Sequence, residues 1–263
     1  MLKRIRDQLS SLFAASQKQP GEAPTSRPPA PADAAEPKNA EAVPFAAPFE
    51  IVRVSGIEAP GTWHTLHKRS GIAPVLLGNR DSAERVLEAR QFNKQSFESI
   101  REAGLRLDVE EWIAERLRED PEIYTLDHTC TRPVSPISGF SSAIDILKRK
   151  PHSEVFIGLI PVEEPWLVPA YLGFGSWNDC PDASVHLGFF NRWFERYGAV
   201  VTTVADDVIE FNVTRPPTTE EASRQLALEQ YVYCPDIVDQ GVETLGNLAA
   251  TLQVSSNWYF WWD

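Results

Sequence analysis

The sequence WYFWWD at residues 258–263 decides how the C-terminal part of this chain folds. Side chains alternate between the two faces of a β-strand, so Trp258, Phe260 and Trp262 are expected to share one face. Tyr259 and Trp261 then point to the opposite face. Large rings on both faces predict a central strand that is buried on both sides. The alternative is that one face lines a concave binding surface, because Trp and Tyr are enriched at such surfaces.

The residues before this strand predict an α+β domain, with a mixed or antiparallel sheet flanked by helices. Strands are predicted at 154–160, 199–204 and 208–213, and a further extended segment is predicted at 166–172. Helices are predicted at 183–197, from a capping box at 218–221 to 233, and at 242–252. Asp182 is the expected cap of the first of these helices, and Gly198 is its expected stop.

Three further segments precede this domain. Residues 1–16 place apolar side chains at helical spacing among basic ones, which predicts either a weak membrane-surface or partner-docking helix, or a frayed terminal helix. Residues 17–48 hold eight prolines and nine alanines, and this composition predicts a disordered linker. Residues 49–150 predict an N-terminal α/β subdomain, with strands near 49–54 and 74–78 and helices near 62–69, 83–90 and 109–118. Residues 151–263 then form the acidic aromatic-rich domain.

Charge is concentrated at the C-terminal end of the chain. The net charge is −12, and residues 151–263 carry the whole excess, with four basic and sixteen acidic side chains and no lysine. Such a surface repels phosphate backbones, so nucleic acid is not an expected partner. It attracts basic protein partners and accelerates their encounter, although plain solubility is an equally good explanation.

Cysteine content and hydropathy bear on the location of the protein. The three cysteines are Cys130, Cys180 and Cys234, and none of them forms a C-x-x-C pair. This count favours a reducing, cytoplasmic environment over a disulfide scaffold. No run of about eighteen apolar residues occurs, so an integral membrane protein is not expected.

An ordered series of motifs then identifies a family resemblance. The series comprises VPAYL at 168–172, GSWNDCP at 175–181, RYGA at 196–199, RPP at 215–217, EQY at 229–231, YCPDIV at 233–238, QG at 240–241 and WYFWWD at 258–263. This set resembles the bacterial family called domain of unknown function 4253. The resemblance covers residues 153–263 well, and it implies no established activity. Ser176 departs from the pattern, because a second glycine is expected there.

Cysteine chemistry is one functional hypothesis. Cys180 precedes a helix whose N-terminal field favours a thiolate, and His186 could approach it, although Asp179 and Asp182 oppose that charge. Ordinary packing explains a buried cysteine equally well. Cys180 and Cys234 both lie in Cys-Pro-Asp tripeptides, and residues suitable as metal ligands stand near them, namely His186, Asp236 and Asp239. The cysteines lack the paired spacing of a zinc site, so neither a metal nor another cofactor is predicted.

Two hypotheses of function follow. The first is a cytosolic binding module that recognises a basic protein partner, similar to an immunity protein in charge and size only. The alternative is a hydrolase-like or metal-assisted enzyme near the Trp177-Asn178 loop and the two Cys-Pro-Asp segments. Residues predicted to contribute to either site are Trp177, Asn178, Cys180, Tyr233, Cys234, Asp236, Gln240 and Trp261.

Overall fold

A computed structural model of the chain describes residues 45–263. The expectations for a helix at 1–16, and for a linker up to residue 44, lie outside the described residues. The linker was expected to continue to residue 48, but the structure places Phe45 against the sheet, with its ring 4.9 Å from that of Phe156. The folded part therefore begins by Phe45 and not at Phe49.

The described strands and helices form a mixed α+β fold, as the sequence predicts. The strands are β1 (Glu50–Val54), β2 (Ala73–Gly78), β3 (Ile144–Asp145), β4 (Lys150–Pro151), β5 (Val155–Ile160), β6 (Ala199–Ala205), β7 (Val208–Val213) and β8 (Asn257–Trp261). The α-helices are α1 (Ala59–Leu66), α2 (Arg80–Phe92), α3 (Phe97–Arg106), α4 (Val109–Glu119), α5 (Val168–Leu172), α6 (Ala183–Tyr197), α7 (Glu220–Tyr233) and α8 (Leu245–Val254). Within 45–263 no helix is long and apolar enough to cross a membrane.

Six strands form one sheet in the order β1-β5-β2-β6-β7-β8, and β3 and β4 form a separate small hairpin. The pairing of β2 with β6 is parallel, and the other pairings in the sheet are antiparallel. Strand β5, from the predicted acidic domain, lies between β1 and β2 of the predicted N-terminal subdomain. The boundary expected near residue 150 therefore does not coincide with a break in the sheet.

The central strand β5 is apolar throughout because both of its faces are covered. Phe156 and Ile160 belong to the larger core, which packs against α6, α7 and α8. Val155, Ile157 and Leu159 point the other way, into a smaller core with Trp63 of α1. A continuous apolar run is the expected pattern for a strand buried on two faces.

The C-terminal aromatic strand has the predicted alternation but not the predicted position. Trp258, Phe260 and Trp262 all lie in the larger core, where Phe260 stacks on Trp193 with ring centroids 5.2 Å apart. However, β8 is the last strand of the sheet and not a central one, and Tyr259 is only half-buried. The Cys234 thiol donates to the carbonyl of Trp261 at 3.0 Å, so the outer side of this edge strand is partly covered.

The segment 166–172 differs most from its prediction. It was expected to be extended, but it forms a 3₁₀ turn at Pro165–Leu167 followed by helix α5. Proline suits the first turn of a helix, where Pro165 and Pro169 stand. Gly173 ends the helix with a φ of 63°, in the left-handed region that glycine adopts without strain. A short apolar run does not by itself distinguish a strand from a helix, which explains the error.

The other helix predictions were correct in type; α6 has its predicted bounds, and the bounds of the others are shifted. Asp182 caps α6 and Gly198 ends it with a φ of 59°, as expected. The cap of α7 is Thr219 and not Thr218, the first residue of the predicted capping box. Asn79 caps α2, which begins at Arg80 and not near residue 83. The last helix starts at Leu245 because a π-helical turn, Ile237–Val242, occupies the residues before it.

Candidate functional site

The predicted Trp177-Asn178 loop is a tightly folded segment between α5 and α6, here called the 175–182 loop. Three of its residues have left-handed backbones: Gly175 with a φ of 113°, Ser176 with 73° and Asn178 with 47°. Ser176 thus occupies a conformation that favours glycine, the residue that the family resemblance leads us to expect at this position. The amide of Ser176 donates to the carbonyl of Pro181 at 3.0 Å, and that of Cys180 donates to Trp177 at 2.9 Å.

A buried chain of polar groups fixes this loop to two helices. Nε2 of His186 lies 3.4 Å from Sγ of Cys180, and Nδ1 of the same ring lies 2.5 Å from the hydroxyl oxygen of Tyr233. His186 belongs to α6 and Tyr233 to α7, and all three side chains are buried. These contacts fix the buried side of the loop. One of them joins His186 and Tyr233, which are 47 positions apart in the sequence.

The partners of His186 determine which ring nitrogen carries the hydrogen. A hydrogen bond with the carbonyl of Pro181 is one of the causes that raise the pKa of the ring against the larger effect of burial. The position of a hypothetical Cβ on Gly175 shows which nitrogen the carbonyl is near. That Cβ would lie 2.0 Å from the carbonyl oxygen of Pro181 and 2.9 Å from Nε2 of His186, so the carbonyl lies on the Nε2 side of the ring. A carbonyl can only accept, whereas a tyrosine hydroxyl can donate. We therefore assign the hydrogen to Nε2, while Nδ1 accepts from Tyr233.

Burial keeps every member of this chain neutral. It lowers the pKa of His186 to about 3 and raises the pKa of the Tyr233 hydroxyl well above its usual value. Burial also raises the pKa of the Cys180 thiol, and the neighbouring Cys234 adds to this shift. With the hydrogen assigned to Nε2, the ring atom that faces Cys180 has no lone pair free for the thiol proton. The assigned form therefore favours a neutral Cys180 thiol over a thiolate.

The remaining predicted residues form a second group at the end of β8. Cys234 is fully buried, and burial raises the pKa of its thiol. Asp236 accepts from the side chain of Gln240 at 2.7 Å and from the amide of Asp263 at 3.0 Å. Cys180 borders a cavity, whereas the thiol of Cys234 donates to the carbonyl of Trp261 at the outer side of β8. Within 45–263, no group of three or more His, Cys, Asp or Glu side chains is arranged to hold a metal ion.

The 175–182 loop separates two cavities, one on each side. The Asn178 cavity has a volume of about 520 Å³ and lies between the loop and α4, with Cys180 and Tyr233 in its wall. Its rim carries four carboxylates and one guanidinium, from Glu119, Asp120, Asp179, Asp182 and Arg116. Arg116 lies over the ring of Trp112 at 4.9 Å. The rim is thus strongly acidic around a single arginine.

The Trp177 cavity lies on the other side of the loop and has a volume of about 430 Å³. Its walls are mostly apolar and come from Val86, Leu172, Phe174 and Trp177, with the last two rings 4.6 Å apart. Its polar groups come from Arg85 of α2 and from Asp206 and Asp207 in the β6–β7 turn. Neither Asp206 nor Asp207 is among the predicted site residues. Nothing in local spacing shows that a turn 121 residues away meets Arg85.

The comparisons with known proteins agree with the motif resemblance. Residues 156–263 match the family model described as Domain of unknown function (DUF4253). No curated protein and no solved structure matches the chain. The matched residues include the 175–182 loop, His186, Tyr233 and β8, so the family domain contains the buried polar chain but not α2 or α4.

The depressed pKa of His186 predicts a specific pH dependence of stability. The folded state resists protonation of this ring, while the unfolded state binds a proton near its ordinary pKa of about 6.5. The neutral ring therefore stabilises the fold above pH 6.5, and this contribution is lost as the pH falls towards 3. The slope attributable to His186 approaches about 1.4 kcal/mol per pH unit in this window.

The measurement is the free energy of unfolding in denaturant between pH 4 and pH 8. The double variant His186→Phe/Tyr233→Phe removes the titrating ring without leaving a hydroxyl unpaired, so its curve is expected to be flatter than that of the original protein. Cys180→Ser retains the ring and is expected to retain the slope. Parallel curves for the original protein and the double variant would contradict the assignment of a neutral His186.

The neutral thiols predict slow alkylation. Cys130 is exposed, whereas Cys180 and Cys234 are buried with raised pKa values. Iodoacetamide at pH 7 is expected to modify one thiol rapidly and the other two at least about 100-fold more slowly, because both thiolate formation and access are suppressed. Mass spectrometry identifies the modified residue, and Cys130→Ser is expected to abolish the rapid phase. A rapid phase that persists in this variant would indicate an activated Cys180.

Proposed function

We propose that this chain, whose residues 156–263 belong to the domain of unknown function 4253 family, is a binding module that recognises basic side chains of a protein partner at the 175–182 loop. The observation that carries the proposal is the excess of carboxylates beside both cavities. Four of them line the Asn178 cavity together with Arg116, which pairs with Glu119, and two line the Trp177 cavity together with Arg85. An acidic concave surface attracts basic groups and raises their rate of encounter.

The rigidity of the loop supports the same proposal. A preorganised surface loses less conformational entropy on binding than a flexible one. The buried chain from Cys180 to Tyr233 fixes the loop, and the exposed Asn178 and Asp179 project from it. Asp120 and Asp182 are held by backbone amides at the starts of helical segments, so their carboxylates have defined positions. The rim is therefore fixed before a partner arrives.

The proposal includes a cytoplasmic location and excludes nucleic acid as a partner of this surface. The three cysteines are free, which suits a cytoplasmic protein. Sixteen acidic and four basic side chains in residues 151–263 make a nucleic acid an unfavourable partner for this surface. A protein with exposed lysines has the complementary charge.

A hydrolase-like enzyme is the second candidate. The observation that favours it is the 3.4 Å contact between Cys180 and His186 at the wall of a cavity. Nucleophile and base lie at a similar separation in thiol enzymes. The Nε2 hydrogen and the raised pKa of the thiol weigh against it, and so does the fully buried Cys234. We therefore rank binding above catalysis.

The test uses a fluorescent peptide that carries three spaced lysines, with fluorescence anisotropy as the readout for the full chain. Binding is expected at low salt and is expected to weaken as salt is raised. The double variant Asp120→Asn/Asp179→Asn is expected to bind about three- to tenfold more weakly, since each rim charge contributes up to about 1 kcal/mol. Asparagine also caps helices well, so Asp120→Asn preserves the local fold.

The matched control is Glu163→Gln/Glu164→Gln, which removes the same two charges from exposed positions outside both cavities. It is expected to change the affinity less than about twofold. Equal weakening by the two double variants would mean that the peptide responds only to net charge, and this would overturn the proposed face. Binding that does not respond to salt would overturn its electrostatic basis.

A further inference from the structure

We propose that the Trp177 cavity is a receptacle for a single lysine side chain, with its methylenes between apolar walls and its ammonium group at Asp207. This inference rests on the proposed function, because the lysine belongs to the basic partner. It assigns one cavity and one chemical group, the lysine side chain, to the acidic surface at the 175–182 loop.

The apolar walls suit the stem of a lysine. The cavity volume of about 430 Å³ lies within the range of about 300–1,000 Å³ that is usual for small-molecule sites. Val86, Leu172, Phe174 and Trp177 supply apolar surface for the four-carbon stem. The rings of Phe174 and Trp177 also attract a cation that approaches their faces.

The charges in the cavity leave one carboxylate for a ligand. Arg85 forms a two-pronged ion pair with Asp206, in which its NH2 group donates to Oδ2 at 2.8 Å. Asp207 is half-buried and forms no salt bridge with any residue in 45–263. Burial raises the pKa of Asp207, and the carboxylates of Asp206 and Asp263 add to this shift. Arg85 lowers this pKa only as the smallest of the causes, so an incoming cation would relieve a negative charge that is compensated only in part.

Geometry favours an ammonium group over other cations. A hydrogen bond with its own backbone amide is one of the causes that lower the pKa of Asp207, and a carboxylate engaged in that way is less open to the two parallel hydrogen bonds of a guanidinium. An ammonium group is a compact point charge that needs only one such acceptor. A hydrated metal ion would need several oxygen ligands, whereas the remaining walls are apolar and Asp206 is engaged by Arg85.

The test probe is Nα-acetyl-lysine amide, added to the full chain labelled with ¹⁵N at its tryptophan indoles. Two-dimensional NMR follows the Trp177 indole signal, which a Trp177→Phe variant assigns. The signal is expected to shift saturably, with a Kd on the order of millimolar because the probe makes few contacts. Nα-acetyl-norleucine amide has a similar stem without the charge, and it is expected to bind at least about tenfold more weakly.

Two variants change the cavity in different ways. Asp207→Asn removes the charge and is expected to weaken lysine binding about tenfold or more. Ala89→Leu fills the cavity from the exposed side of α2 without altering charge, and it is expected to abolish the shift. Glu163→Gln removes one remote charge and is expected to leave the affinity unchanged. Leucine is a strong helix former, so Ala89→Leu is expected to preserve α2. It therefore tests the cavity even if Asp207→Asn disturbs the β6–β7 turn.

The outcomes separate this inference from the proposed function. If the three-lysine peptide binds with the expected dependence on the rim carboxylates, but Asp207→Asn and Ala89→Leu leave lysine binding intact, the cavity assignment is overturned and the binding face stands. If the single lysine binds as expected but the peptide does not bind, the cavity stands and the partner proposal fails. Equal affinity for norleucine, or tighter binding of tetramethylammonium, would contradict an ammonium-specific site.

Discussion

The hydrogen bond between the hydroxyl of Tyr233 and Nδ1 of His186 is the interaction on which the rest of the site depends. It joins α7 to α6, and Nε2 of the same ring lies 3.4 Å from Sγ of Cys180, on the side of the ring where the carbonyl of Pro181 lies. Buried polar groups are costly unless each finds a partner. Removing one member would leave the others unpaired in the core, so the chain specifies one position for the 175–182 loop.

That position determines what the surface can do. The loop separates the Asn178 cavity from the Trp177 cavity, and it places one named side chain at each. Helix α4 supplies the far wall of the first cavity and helix α2 supplies that of the second, although neither helix lies in the matched family region. The residues before 156 are therefore part of the candidate site and not only a support for it.

Much of the fold could be predicted from the sequence, because the local signals were strong. The apolar run of β5, the cap and stop of α6 at Asp182 and Gly198, and the strands β6 and β7 all lie as expected. Features that depend on contacts between distant parts of the chain could not be predicted in the same way. The rings of β8 could not reveal an edge position, since the covering Cys234 is 27 residues away. The contact of Cys180 with His186 was foreseen from helical proximity, whereas the pairing of Arg85 with Asp206 has no local signature.

The most direct test of this account is the protonation of the His186 ring, measured by ¹⁵N NMR of the full chain with a His186→Gln variant to assign the signals. The account predicts that at pH 7 Nε2 carries the hydrogen and Nδ1 is unprotonated. It also predicts that this form persists to about pH 5, because burial lowers the pKa of His186 to about 3. A ring protonated at Nδ1, or an imidazolium at pH 7 paired with a Cys180 thiolate, would contradict it and favour the thiol enzyme.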